Sequence, residues 1–85
     1  MLELELMTRA GCCLCDEAKA VIEECLPAFP ARLKLTDIEQ DPELLQRYQE
    51  KIPVLLINGE ESFVYKVHPV TLRRKLERAL REAGT

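Results

Sequence analysis

The chain has 85 residues, room for one domain and no second core. Apolar residues at 47% and charged residues at 32% are the balance of a folded globular domain, and nothing in them reads as disordered. The net charge of −3 gives no general attraction to nucleic acid or to an anionic membrane.

Leu2, Leu4 and Leu6 alternate with Glu3 and Glu5, which predicts a first strand to about Thr8 with its second face incompletely covered. This alternation is neither a signal peptide nor a membrane span, so the cytosol, where thiols are kept reduced, is the expected location. Arg9-Ala10-Gly11 reads as a turn. From Cys12 to about Leu26 the spacing becomes helical, with Leu14, Ala18, Val21, Ile22 and Cys25 on one stripe. Asp16 and Glu17 lie in the opening turn, where negative charge is favoured, and Pro27 and Pro30 end the helix.

Leu33, Leu35 and Ile38 mark a second strand over about 32–38. Asp41-Pro42-Glu43 is a helix start, with Asp41 as cap and Pro42 in the first helical position. That short helix turns Leu44, Leu45 and Tyr48 inward. Ile52-Pro53 ends it, and the apolar run Val54-Leu55-Leu56-Ile57 fits a strand buried on both faces. Asn58-Gly59 is a tight hairpin signal, because such a turn needs positive φ at both positions. The return strand is predicted over about 61–67, with Phe63, Tyr65 and Val67 on one side. After His68-Pro69, the residues Leu72, Leu76, Ala79, Leu80 and Ala83 form a last amphipathic helix, with Gly84 past its end. Its basic residues Arg73, Arg74, Lys75, Arg78 and Arg81 alternate with Glu77 and Glu82 and read as a solvated face.

The order β-α-β-α-β-β-α predicts an α/β fold over residues 1–85. The first strand–helix–strand unit should be a right-handed parallel crossover. The hairpin adds an antiparallel pair, giving a mixed four-stranded sheet with helices on both faces. Architecture of this kind leaves the chemistry open.

The chemistry lies in the cysteines. Cys12 and Cys15 stand three apart where a strand meets a helix, and positions i and i+3 share a helix face. Such a pair can meet the roughly 4.4–6.8 Å between Cα atoms that a disulfide needs. The helix mouth offers unpaired N–H groups and the positive end of the dipole, both favouring a thiolate at the first cysteine. Cys12 is therefore the expected nucleophile toward a disulfide, and Cys15 the thiol that resolves the mixed disulfide. Arg9, three residues earlier, adds positive charge, while Asp16 and Glu17 oppose it. No bound cofactor is required.

A zinc site is the rival reading, but tetrahedral zinc needs a second ligand pair. Cys25 lies thirteen residues beyond Cys12, roughly 20 Å along a continuous helix. A metal shared across a dimer by Cys12, Cys13 and Cys15 is the remaining form of that reading. Cys13 is expected to be exposed, as a spare thiol or a second resolving one, and Cys25 to be core packing. His68, the single histidine, reads as a helix-entry residue rather than a general base. Tyr48, Phe29, Phe63 and Tyr65 read as core or groove lining rather than a nucleic-acid platform.

The stretch Gly11-Cys12-Cys13-Leu14-Cys15-Asp16-Glu17-Ala18, with Ile52-Pro53-Val54, resembles the glutaredoxin-like branch of the thioredoxin superfamily, and more narrowly its small bacterial members. The likeness extends through Asp37-Ile38, Asp41-Pro42-Glu43-Leu44 and the final helix. It implies a thiol–disulfide oxidoreductase acting on protein or glutathione mixed disulfides, Cys12 attacking and Cys15 resolving. It also implies a cis peptide bond before Pro53, with the Ile52 backbone pairing an extended substrate and Arg9 near it. Glutathione is a possible reducing co-substrate. Glutathione-dependent relatives carry a Gly-Gly pair and an acidic residue after the third strand, whereas this chain reads Ser62-Phe63-Val64-Tyr65. The tryptophan that precedes the motif in thioredoxins is Gly11 here. A monomer with no nucleic-acid or membrane partner is expected. The alternative class is a metal or iron–sulfur carrier.

Overall fold

The computed structural model describes residues 1–83, and of Ala83 the backbone alone. Two expectations, an inward Ala83 side chain and Gly84 past the helix end, fall outside that part. The elements are β1 (Leu2–Thr8), α1 (Cys13–Cys25), β2 (Ala31–Asp37), α2 (Pro42–Tyr48), β3 (Val54–Ile57), β4 (Glu60–Val64) and α3 (Pro69–Ala83). Single 3₁₀ turns follow α1 at Leu26–Ala28 and β2 at Ile38–Gln40.

The strands lie in the order β2-β1-β3-β4. β1 and β2 run parallel, and the β1–β3 and β3–β4 pairs are antiparallel. This is the mixed α/β sheet that the element order predicts. Central β3 carries the uninterrupted apolar run and is buried along its whole length, as cover on both faces requires.

Alternation along β1 divides the interior in two. Leu2, Leu4 and Leu6 join Ile22 and Cys25 of α1, Leu55 and Ile57 of β3, and Leu72 and Leu76 of α3. On the other side Met7 joins Val54, Leu56, Ile38 and Tyr48, with Cys15 at the edge of this second cluster. Beyond the reach of short α2, that second face is polar: Glu3 pairs with Arg32 (3.2 Å), and the Thr36 hydroxyl donates to Glu5. The incomplete cover expected from Glu3 and Glu5 is thus present.

Local chemistry explains the boundaries. Asp41 caps α2, its Oδ1 accepting the Glu43 N–H at 2.9 Å, with Pro42 in the first turn. Asn58 (φ 52) and Gly59 (φ 83) make the two-residue hairpin. Asn58 also ties that hairpin to β1, donating its N–H to the Glu3 carbonyl (2.7 Å) and accepting the Glu3 N–H on Oδ1 (3.0 Å).

Four expectations need correction. β2 ends at Asp37, because the Asp37 carboxylate accepts the Glu39 N–H and starts a 3₁₀ turn that still buries Ile38. Leu80 is 37% exposed, at the margin of the α3 face that buries Leu72 and Leu76. Leu14 is 47% exposed instead of lying on the inward stripe of α1. β4 stops at Val64: Tyr65 adopts a φ of 75 and is exposed, while Phe63 and Val67 are buried as expected. No helix among the described residues is long and apolar enough to cross a membrane.

Candidate active site

β1 delivers the chain to one end of the sheet, where Arg9, Ala10 and Gly11 reverse it. Gly11 sits at φ 77, a left-handed conformation that a residue without a Cβ adopts at no steric cost. Cys12 follows in an extended conformation and is the N-cap of α1. Its Sγ accepts the Cys15 N–H at 3.2 Å, the place that a serine or aspartate oxygen ordinarily takes. The helix thus begins at Cys13, one residue later than expected, because Cys12 serves as its cap.

Cys12 is half-buried at the surface, and Cys15 lies a turn deeper at 3% exposure. The two side chains adjoin at the helix mouth. Burial pushes the Cys15 thiol above its ordinary 9.0, and the bond to Cys12 and the charge on Cys12 push the same way. Thr8 and the Arg9 N–H act in the opposite sense. At neutral pH Cys15 is a protonated thiol.

All four cysteines are free thiols. The fold brings Cys12 and Cys15 together, leaves Cys13 exposed beside them, and buries Cys25 at 2% exposure in the leucine-rich cluster. Among the described residues, no three His, Cys, Asp or Glu side chains converge as a metal site.

Arg9 points its charge at Glu39, with Nη2 and Oε2 3.6 Å apart. Its guanidinium is therefore shared with an acid of the next segment. The Ile52–Pro53 peptide bond is cis, as the resemblance implied, and both residues are buried. The Ile52 N–H is already donated to the Tyr48 carbonyl (3.2 Å), and the Pro53 carbonyl accepts the Tyr65 N–H (2.8 Å). The Ile52 N–H is therefore already taken within the chain. His68 is exposed at the entry of α3, where its carbonyl accepts the Leu72 N–H (2.8 Å).

Next to the cysteine motif, Leu14, Ala18 and Val21 of α1 face Tyr65 and Val67 across a cleft of about 240 Å³. A second cleft of about 290 Å³ lies between the hairpin and α3, with Lys75 and Arg78 on its wall and no cysteine. Thr8 is not singled out by the sequence as a site residue, and Tyr65 is read there as core or groove lining, of which the structure shows the second. Thr8 had a signal: it is the next position in the Leu2, Leu4, Leu6 alternation, and the first to carry a hydroxyl. The left-handed turn that puts Tyr65 on that wall is not announced by its neighbours.

A family profile described as a Glutaredoxin-like domain (DUF836) matches residues 3–77. An uncharacterized protein of Mycobacterium tuberculosis is 26% identical over 82 residues, spanning 91% of this chain and 84% of its own length. The X-ray structure of a structural-genomics target from X. campestris superposes with a TM-score of 0.75 at 24% identity, covering 88% of this chain and 96% of that one. Thioredoxin 1 from the thermophilic eubacterium Thermosipho africanus covers 98% of this chain and 99% of its own, with a TM-score of 0.68 at 16% identity. These likenesses show a thioredoxin-like fold.

Proposed function

Because this chain belongs to the glutaredoxin-like domain family, we propose that it is a thiol–disulfide oxidoreductase working by a dithiol mechanism. The observation that carries the proposal is the hydrogen-bonded pair at the mouth of α1, Cys12 capping the helix and Cys15 held against it. Of the two sulfurs, that of Cys12 is the one a substrate can reach, since Cys15 is buried.

In the first step the Cys12 thiolate attacks one sulfur of a substrate disulfide. A new S–S bond joins Cys12 to that sulfur, and the other sulfur leaves as a thiolate that takes up a proton. In the second step Cys15 attacks the Cys12 sulfur and expels the remaining substrate thiol. The substrate gains two electrons and the chain keeps a Cys12–Cys15 disulfide. A cellular reductant, glutathione or a reductase, restores the dithiol, so no bound cofactor takes part.

The substrates proposed are protein or glutathione mixed disulfides. The Ile52 carbonyl would align an extended segment, with Arg9 beside it and the buried Pro53 holding the turn beneath. The apolar cleft of Leu14, Val21 and Tyr65 favours a polypeptide, whose side chain could fill about 240 Å³. A reducing setting such as the cytosol, with the chain acting as a single-domain monomer, suits four free thiols.

Disulfide-reduction assays on the wild type, Cys12→Ser and Cys15→Ser test this reading. Turnover should vanish in Cys12→Ser, and Cys15→Ser should accumulate a mixed disulfide on Cys12. Undiminished turnover in Cys12→Ser would falsify the assignment. Recycling by glutathione, compared with recycling by thioredoxin reductase, then identifies the electron donor.

A further inference from the structure

Tyr65 is held in a backbone conformation that its side chain does not favour. Its φ is 75, in the left-handed region, where a Cβ is crowded. Asn58 shares that region, but asparagine adopts it readily in a hairpin and tyrosine does not. Two hydrogen bonds fix the turn: the Tyr65 N–H donates to the Lys51 carbonyl (3.2 Å) and to the Pro53 carbonyl (2.8 Å). Both come from the backbone, so a glycine would keep them and lose the crowding. The ring adds little to the core either, since Tyr65 is 57% exposed. Neither the turn nor the interior explains an aromatic residue at this position.

The ring has a counterpart on α1. Leu14, 47% exposed, stands in the motif between Cys13 and Cys15 and lines the same cleft, whose floor is Ala18, Val21 and Val67. A single exposed apolar residue needs no explanation; two that meet across a cleft beside the cysteine motif do. At about 240 Å³ the cleft is smaller than the roughly 300–1,000 Å³ of pockets that enclose a small molecule, and it suits one large side chain. Its charged residues are Glu17 and Lys66, both exposed and of opposite sign. Their charges cancel, which matches an uncharged occupant and gives an anion no net attraction.

The geometry points to Tyr65 as a specificity-determining residue, its ring and Leu14 taking an apolar side chain that neighbours the cysteine of a polypeptide disulfide. The inference rests on the dithiol reading above and narrows its substrates to polypeptides with such a neighbour. The covalent steps are those already given, and no further reactant enters. While the substrate sulfur is joined to Cys12, the neighbouring side chain lies in the cleft, and its burial there holds the reacting segment in place. Glutathione flanks its cysteine with a γ-glutamyl and a glycyl unit, neither of them apolar, and gains nothing from the cleft.

Three disulfides, each in excess over the reduced protein, test this. They are the dimer of a short peptide with leucine on both sides of its cysteine, the dimer of the same peptide with glycine there, and glutathione disulfide. Quenching and mass spectrometry give the rate of protein oxidation, and division by the rate of each disulfide with dithiothreitol removes its intrinsic reactivity. The leucine peptide should react about tenfold faster than either other probe, the effect of burying part of one such side chain. In Tyr65→Gly that preference should collapse to parity, and Tyr65→Phe should retain it. If Tyr65→Gly does not fold, Leu14→Ala on the facing wall is read in the same way. Equal rates for the two peptides in the wild type, or a faster reaction with glutathione disulfide, overturns the inference. So does a preference that survives in Tyr65→Gly or is lost in Tyr65→Phe. A wild type that is oxidised by none of the three instead overturns the dithiol reading.

Discussion

Cys12 and Cys15 are separated by one helical turn, yet water reaches the first and is nearly excluded from the second. In the proposed function that difference divides the labour between them: an accessible sulfur can meet a substrate, and a covered one can meet only its neighbour. Holding Cys15 protonated keeps the pair from being two thiolates in contact. The same fact has a consequence for stability. The folded chain binds the Cys15 proton more tightly than the unfolded chain does, so stability from this group is intact below pH 9.0 and is lost as pH rises through the higher folded value. Urea midpoints of the reduced protein should therefore fall more steeply with pH above 9.0 for the wild type than for Cys15→Ala. Parallel slopes would show that the native thiol is not held above its ordinary range.

At the scale of elements, the site is a junction of three pieces: the end of β1, the mouth of α1 and the loop before β3. Short α2 supports them from below, because Tyr48 buries its ring in the Cys15 cluster and its carbonyl takes the Ile52 N–H. The cap that starts α2 should consequently be felt at the site. Asp41→Ala removes the acceptor of the Glu43 N–H and should cost about 1 kcal/mol. Denaturant midpoints measure it, and a change within error would mean that the cap contributes nothing to the fold.

Much of this was legible beforehand, for reasons that differ by element. Asp41-Pro42 and Asn58-Gly59 speak through local backbone chemistry, which tertiary packing does not override. The Leu2, Leu4, Leu6 alternation and the Val54–Ile57 run report burial directly. The cysteine pair was legible because three-residue spacing at a helix start has a single geometric consequence. Leu14 and Tyr65 were misplaced because helical and strand periods were carried past the points where function or a turn interrupts them. The Ile52 N–H bond to Tyr48 depends on a contact between loops and had no local signal.

Seen as a whole, the molecule sets two apolar clusters on opposite faces of one sheet and gathers its chemistry at an end between them. Cys25 belongs to the first cluster and Cys15 to the second, so the fold itself separates the structural thiol from the reactive one. A disulfide formed on mild oxidation should therefore link Cys12 with Cys15 and leave Cys25 reduced.

Disulfide mapping of the oxidised protein by mass spectrometry asks this directly. The tryptic peptide of residues 10–19 carries Cys12, Cys13 and Cys15 together, and fragmentation after differential alkylation assigns the bridge. The account requires a reversible two-hydrogen mass loss with Cys13 alkylated and Cys12 joined to Cys15. Four free thiols after oxidation, or a bridge that ends on Cys13 or Cys25, would contradict it.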